Sequence, residues 1–252
     1  MKRIVYTAAL AGLVLLPNTI TNARAADITV LASNGVKPAV LELVPQFERE
    51  TGHKLKFTWG ASNLLAKQIE DGEAFDVVVV TPSLIKGLIT KGKVVDGSAV
   101  NLARVGLGVA VKQGATKPDI STVAAFKSTM LNAKVIAFTT AGQSGLHFIS
   151  VTQKLGIADQ VKAKGKTLPS GAAAEFVAKG EADIAIQLIP ELAAVAGVEV
   201  VGPFPPELQN YIVLTGGVSS NAKDKGAAQS LIKYLTTPAA MSVFKSKGME
   251  PG

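Results

Sequence analysis

Neutral polar side chains in three short turns are the residues of this chain best placed to bind a ligand. The segments Ile28–Gly35, Leu55–Asn63 and Val135–Gly145 each run from an apolar stretch into a turn rich in Gly, Ser, Asn or Gln, and then into an amphipathic helix. A helix start leaves backbone N–H groups free and carries the positive end of the helix dipole. Such turns bind small anions without any charged side chain. The pattern therefore predicts a capture site for an anion.

The candidate residues in these turns have short polar side chains or none. They are Ser33, Asn34, Gly35, Ser62, Asn63, Gln143, Ser144 and Gly145. At a single junction, helix capping alone explains the serine, and a tight turn explains the glycines. Three junctions at the carboxyl ends of strands favour ligand binding, because open α/β sheets bind their ligands there.

Two ionisable residues are further candidates. His147 lies in the first turn of the third of these helices and titrates near neutral pH, although a lone histidine is more often a packing or surface residue. Arg104 begins a strand that is expected to cross between two halves of the molecule. Its guanidinium could bind a ligand carboxylate with two hydrogen bonds, or it could form a surface ion pair. Both residues are included in the predicted site, with these alternatives open.

An alternation of apolar strands with amphipathic helices predicts an α/β fold. In the first helix, Val36, Val40, Leu43 and Phe47 recur at helical spacing, and Gly52 ends the helix. The predicted strands are Ile28–Ala32, Leu55–Trp59, Phe75–Val80, Val105–Val111, Val135–Phe138, Ile184–Ile186, Val198–Val201 and Tyr211–Val218. Strands that alternate with helices favour mostly parallel sheets with flanking helices.

Two segments, 102–108 and 202–211, separate the two series of strands and are predicted to cross between lobes. The expected architecture is a two-lobed α/β protein whose lobes are joined by two hinge strands. Lobe I would contain residues 27–103 and 212–252, and lobe II would contain residues 104–211. A hinge of this kind would allow the lobes to close around a ligand.

The first 25 residues predict export. Lys2 and Arg3 precede a mostly apolar run from Ile4 to Leu16, and the segment Ala23–Ala25 provides the small–x–small cleavage pattern of a signal peptide. The chain has no Cys, which excludes disulfides, thiolate catalysis and a lipid-modified N-terminal cysteine. No later segment approaches the roughly 18 apolar residues of a membrane helix. We therefore expect a free periplasmic protein, neither a lipoprotein nor inserted in the membrane.

The charge pattern argues against a nucleic-acid partner. The 252-residue chain has a formal charge of +7, which falls to +4 when the three basic residues of the predicted signal peptide are removed. The remaining basic residues are scattered and have few aromatic neighbours in sequence, unlike those of a nucleic-acid-binding groove. The charge is instead typical of a solvated surface that weakly favours anions.

Motifs for catalysis and for cofactors are absent from the sequence. Two histidines and no Cys leave no zinc-binding spacing, and no glycine-rich phosphate loop occurs. A hydrolase that uses Ser62, His147 and Asp76 is an alternative, because catalytic triads assemble in space rather than along the chain. The sequence predicts a binding protein without a cofactor rather than an enzyme.

Four segments carry a resemblance to a known family. The segments are ITVLASNGVKPAV, WGASNLLAKQIEDGEAFDVVVV, SGLHFISVTQKLGIADQV and GEADIAI. Together they resemble the molybdate-binding branch of periplasmic solute-binding proteins, the receptors of ABC importers. The resemblance covers the chain after the predicted signal peptide. It implies two α/β lobes that close on an oxyanion, an inner-membrane ABC permease as partner, and a monomer.

The resemblance also implies positions for the ligand-binding residues. The first serine of the family falls on Gly35 and the second on Ser62, while Ser144 and Ser170 correspond to donors of the second lobe. The tyrosine that often closes the family's site is missing, and Gln187 is the nearest polar side chain to its position.

Two classes of ligand remain open at this point. A tetrahedral oxyanion such as molybdate or tungstate is what the resemblance implies, and neutral donors can hold it. A small organic di- or tricarboxylate would account for the missing tyrosine and for an arginine or a histidine in the cleft.

Overall fold

The computed structural model describes residues 25–252, so the predicted signal peptide at 1–25 lies almost entirely outside the described residues. The strands are β1 (Asp27–Ser33), β2 (Lys54–Gly60), β3 (Val77–Val80), β4 (Val100–Lys112), β5 (Ile136–Thr139), β6 (Gly165–Leu168), β7 (Ile184–Leu188), β8 (Val198–Pro203), β9 (Tyr211–Val218) and β10 (Glu250–Pro251). The helices are α1 (Lys37–Thr51), α2 (Ser62–Glu70), α3 (Pro82–Thr90), α4 (Val123–Asn132), α5 (Gln143–Lys154), α6 (Ala158–Ala163), α7 (Ala174–Ala178), α8 (Ile189–Ala193), α9 (Lys225–Leu235) and α10 (Pro238–Ser246), and a 3-10 turn at Asn34–Val36 leads into α1.

The strands follow one path in the order β2-β1-β3-β9-β4-β7-β5-β6, with β8 and β10 also paired to β4. Strands β1, β2 and β3 are parallel, and so are β5, β6 and β7, while β9 and β4 run antiparallel to their neighbours. The predicted α/β class with mostly parallel sheets and flanking helices is confirmed.

The apolar runs form buried strands and one-sided helices, as their patterns predict. All four valines of β3 are buried, because helices cover both faces of that part of the sheet. Helix α1 buries Ala39, Val40, Leu43 and Phe47 against it. This packing fixes where α1 begins, and therefore where the turn after β1 lies.

Strand β4 joins the two halves of the molecule. Its residues 100–106 pair with β9, and its residues 107–112 pair with β7 and β8. We call the half built on β1, β2, β3 and β9 lobe I, and the half built on β5 to β8 lobe II. The predicted residue boundaries of the lobes, at 103/104 and 211/212, stay a prediction.

One side chain connects the backbones at the crossing point of β4 and β9. The amide of Gln209 accepts a hydrogen bond from the Leu107 N–H and donates one to the Leu107 carbonyl, both at 2.9 Å. The Gln209 side chain thus makes the hydrogen bonds that a neighbouring strand would otherwise make. The backbone N–H and carbonyl groups of Leu107, where the chain crosses between the lobes, therefore have partners.

Candidate ligand-binding pocket

A pocket that is partly open to solvent lies between the lobes, at the carboxyl ends of β1, β2, β5 and β7. Its lining consists of neutral polar side chains, glycines, three apolar residues and one carboxyl group. The lining residues are Ser33, Asn34, Gly60, Ala61, Ser62, Thr139, Gly142, Gln143, Ser144, Ser170, Gly171, Gln187, Leu188, Glu191 and Ile212. This set includes seven of the twelve residues predicted from the sequence, and it contains no Lys, Arg or His.

Ser62 does not cap its helix. Helix α2 begins at Ser62, its N-cap is Ala61, and no side chain caps it. Ser62 is 2% exposed and lines the pocket, and its hydroxyl makes no hydrogen bond within residues 25–252. Ser144 is the second residue of α5, whose N-cap is Gly142, and no side chain caps that helix either. The capping explanation therefore fails for both serines, and both hydroxyls are available to a ligand.

Thr139 is a pocket residue that the sequence reasoning missed. It ends β5 and is 3% exposed, and its Oγ1 is a buried polar atom without any hydrogen-bond partner in the described part of the chain. A buried hydroxyl without a partner is rare and calls for an explanation. Because Thr139 lines the pocket, a ligand atom is the partner that would satisfy it. In the sequence, the signal that could have identified Thr139 is its place as a polar residue at the end of an apolar strand.

Gly145 has a packing role rather than a place in the pocket lining. A Cβ atom at Gly145 would lie 1.6 Å from the carbonyl oxygen of Thr139, so the first turn of α5 can rest directly on the end of β5 only if this residue is glycine. Gly35 is similarly crowded, because a Cβ atom there would lie 2.7 Å from a methyl carbon of Leu188 and 2.9 Å from one of Leu214. Each of these two predicted residues therefore packs against a residue that lines the pocket, Gly145 against Thr139 and Gly35 against Leu188.

Glu191 contributes the one carboxyl group that the described residues bring to the pocket lining, and no sequence pattern identifies it. Its Oε2 accepts hydrogen bonds from the Leu188 N–H at 3.3 Å and from the Gln187 Nε2 at 3.4 Å. Burial raises the pKa of Glu191 from 4.5 to about 7, although the bond from Leu188 opposes this. In sequence, Glu191 is an ordinary first-turn glutamate of a short helix, so its desolvation carries no sequence signal.

Gln187 is held by the protein itself. Its Oε1 accepts from the Ala174 N–H at 3.3 Å, and its Nε2 donates to the Gly171 carbonyl at 2.9 Å. The residue is 1% exposed. Its amide thus fixes the loop before α7 and orients Glu191.

Hydrogen bonds cross from lobe I to lobe II at the pocket. The Asn34 Nδ2 donates to the Ser170 Oγ at 3.3 Å. The Gln143 Nε2 donates to the Asn63 Oδ1 at 3.0 Å, and the Asn63 Nδ2 donates to the Ala141 carbonyl at 3.5 Å. The lobes are therefore in contact, and Asn63 lies at the edge of the pocket without lining it.

The structure does not bring Arg104 to the pocket. Its guanidinium stacks on the Tyr211 ring at 4.0 Å, and its Nε lies 3.5 Å from a carboxylate oxygen of Glu250. The side chain is 45% exposed. The surface ion pair is thus the alternative that the structure supports, because the side chain of Arg104 lies on the outside of the β4–β9 crossing.

His147 is likewise outside the pocket lining. Its Nε2 lies 2.8 Å from the Leu208 carbonyl oxygen, and its ring packs near that of Phe204, with 6.5 Å between the ring centroids.

The alternative hydrolase triad of Ser62, His147 and Asp76 is not formed either. Both carboxylate oxygens of Asp76 accept backbone N–H groups, from Thr29 at 2.8 Å and from Lys223 at 2.9 Å. His147 and Asp76 therefore have structural partners instead of each other.

The two lobes, the hinge strands and the pocket between them define a solute-binding protein. Residues 28–250 match the family described as bacterial extracellular solute-binding protein, and the chain belongs to that family. Among the helices of residues 25–252, none combines the length and apolar character that crossing a membrane requires.

Individual relatives differ in what they are named for. The chain is 30% identical to an aconitate isomerase of Pseudomonas sp., over 97% of this chain and 96% of that protein. It is 28% identical to the molybdate-binding protein ModA of Azotobacter vinelandii, over 90% of each. The solved periplasmic molybdate-binding protein of Azotobacter vinelandii is 22% identical and superposes with a TM-score of 0.76, covering 89% of this chain and 99% of that one. The recognised likeness to molybdate-binding proteins is confirmed, while one relative bears an enzyme name.

Proposed function

We propose that this protein is the periplasmic receptor of an ABC importer and that it captures a small organic polycarboxylate of the aconitate class. The observation that carries the proposal is the mixed lining of the pocket. Hydroxyl groups and three helix or turn starts supply neutral donors for carboxylate groups. Leu188 and Ile212 supply apolar contacts for a carbon skeleton, which an inorganic oxyanion does not have.

Glu191 supports the same class of ligand. A carboxyl group with a pKa of about 7 is partly protonated at neutral pH and can share its proton with a carboxylate of the ligand. The relative named aconitate isomerase, at 30% identity over nearly the whole chain, also favours a tricarboxylate. The residues proposed to touch the ligand are Ser33, Asn34, Ser62, Thr139, Gln143, Ser144, Ser170 and Glu191.

Molybdate or a similar oxyanion is the second candidate. It is favoured by the relatives named for molybdate and by a lining to which residues 25–252 contribute no basic side chain, since neutral dipoles suffice to bind a tetrahedral dianion. Against it stand the missing tyrosine and the apolar contacts of Leu188 and Ile212, which a tetrahedral oxyanion does not need.

A thermal-shift screen of the purified protein separates the two candidates. The ligands are cis-aconitate, trans-aconitate, molybdate and sulfate, each at several concentrations, because a ligand that binds only the folded state raises Tm in proportion to the logarithm of its concentration. We expect a shift with an aconitate isomer and none with molybdate. A shift with molybdate alone would assign the oxyanion, and calorimetry would then measure its affinity.

We expect Ser62→Ala to weaken binding of the captured anion about 5- to 150-fold, equivalent to 1–3 kcal/mol, because a charge-assisted hydrogen bond is lost in a buried site. Isothermal titration calorimetry measures the affinity. Ser150→Ala, at an exposed position of α5, is the matched control and should bind like the parent. Equal affinities of the parent and of Ser62→Ala would mean that this hydroxyl does not contact the ligand.

We expect Thr139→Val to have effects of opposite sign on stability and on binding. The nearly isosteric valine removes a buried hydroxyl that has no partner, so the unliganded protein should gain about 1 kcal/mol in free energy of unfolding. Anion affinity should fall, since the ligand loses that donor. Urea denaturation and calorimetry test the two parts, and Thr140→Val, at the exposed neighbouring position, is the control. A loss of stability together with unchanged affinity would contradict the assignment.

A further inference from the structure

The carboxyl group of Glu191 has one oxygen that the protein uses and one that it does not. Oε2 accepts from the Leu188 N–H, which is the capping role of a glutamate in the first turn of α8, and from Gln187. Oε1 makes no hydrogen bond within residues 25–252, and the residue lines the pocket. Capping therefore explains the position of the side chain but leaves Oε1 free for the ligand.

A proton shared with Glu191 would help to hold a carboxylate ligand, but an amide at this place would serve capture as well. An amide would cap the helix and donate to an anion at every pH, whereas a carboxylate repels an anion whenever it is ionised. Among residues 25–252, no Lys, Arg or His lines the pocket to offset that charge. A group that both holds and releases a proton is suited to proton transfer instead.

We propose that Glu191 moves a proton to and from an aconitate bound in this pocket, so that the protein isomerises its ligand. The inference rests on the proposed function, because it requires that the pocket binds aconitate. Aconitate has one carbon–carbon double bond and an adjacent methylene group, which bear three carboxylates. Acid–base groups can interconvert its isomers by moving a proton along this three-carbon unit.

The reaction balances without any co-reactant. Glu191 Oε1 takes a proton from the methylene carbon; that C–H bond breaks, an O–H bond forms, and the electron pair spreads over the allylic unit and the attached carboxylate. The proton on Glu191 exchanges with solvent, Glu191 then gives a proton to the former vinyl carbon, and the double bond moves by one position. The new double bond takes the cis or trans geometry that the pocket imposes, and Glu191 ends as it began.

Other groups of the pocket suit the intermediate. Its added negative charge lies on carboxylate oxygens, where the hydroxyls of Ser62, Thr139 and Ser144 would donate hydrogen bonds. Preorganised donors of this kind stabilise a developing oxyanion. Burial holds the pKa of Glu191 at about 7, in the range in which one group serves as both base and acid at neutral pH.

The experiment follows aconitate by proton NMR in D2O with the parent protein, Glu191→Gln and Glu191→Asp. We expect the parent to convert one isomer into the other with deuterium entering the allylic carbons. Glu191→Gln should slow both processes at least about 100-fold, the usual contribution of a general acid–base group, and should still bind aconitate in calorimetry. Glu191→Asp keeps the acid and should retain part of the activity. Arg104→Gln, altered outside the pocket, is the control and should match the parent.

The outcomes separate this inference from the proposed function. Binding of aconitate without isomerisation or deuterium exchange would overturn the inference and leave the receptor intact. Isomerisation at the parent rate by Glu191→Gln, with binding retained, would overturn the role of Glu191. Absence of aconitate binding to the parent would overturn the proposed ligand, and the inference with it.

Discussion

As the pH rises from about 4.5 to about 7, the unliganded parent is expected to lose up to about 3 kcal/mol of its free energy of unfolding. The variant Glu191→Gln is expected not to show this loss. Burial raises the folded-state pKa of this group from 4.5 to about 7. Between these values the folded state holds the proton and the unfolded state releases it, so the free energy of unfolding falls with rising pH. Each unit of pKa difference corresponds to about 1.36 kcal/mol, which sets the limit. Glutamine carries no proton to release.

Urea denaturation at a series of pH values between 4 and 8 measures this effect as the difference between parent and variant. Glu207→Gln is the matched control, because Glu207 is exposed and lies outside the pocket. Its curve should parallel that of the parent. A constant difference between the parent and Glu191→Gln over this pH range would show that Glu191 is not held in its protonated form.

Gly145→Ala is expected to destabilise the protein by about 3 kcal/mol and to lower Tm by roughly 6–12 °C. The added Cβ would lie 1.6 Å from the Thr139 carbonyl oxygen and 2.6 Å from its carbonyl carbon. Neither backbone can move at small cost, since β5 is paired on both sides, with β6 and β7. The start of α5 would have to lift away from the pocket, so anion affinity should fall as well.

Gly87→Ala is the matched control for this substitution. Gly87 also lies within a helix, α3, but a Cβ there would meet no atom within 4 Å. Alanine is the better helix former, so this variant should gain about 0.5–1 kcal/mol. Differential scanning calorimetry of both variants gives the comparison. If Gly145→Ala melted at or above the parent temperature, the close contact between α5 and β5 would be refuted.

The position of the site can be predicted from the sequence because it depends on local sequence pattern. Apolar runs that end in Ser33, Ser62 and Ser144 predict strand–turn–helix units, and parallel strands bring their carboxyl ends to one edge. The contributions of Ser170 and Gln187 came through the family resemblance, and both residues line the pocket.

For Arg104 and His147, local sequence pattern does not predict the direction of the side chain. Their positions along the chain predict that both side chains lie near the cleft, but neither lines the pocket. Which side of a strand or helix faces a cleft depends on register and on neighbours. Here Tyr211 and Glu250 hold Arg104, while the Leu208 carbonyl holds His147. Both sets of neighbours come from distant parts of the chain.

By itself, the sequence determined the alternation of strands and helices, the α/β class, and a pocket of neutral donors, because hydrophobic period and turn chemistry act over a few residues. Only the tertiary structure decided that Thr139 is left without a partner and that Glu191 is desolvated, with a raised pKa. Both properties depend on desolvation by groups far apart in the chain, which no local pattern encodes. The sequence therefore predicts where the pocket lies and which neutral donors line it, while the fold sets the pKa of Glu191 and leaves the Thr139 hydroxyl without a partner among residues 25–252.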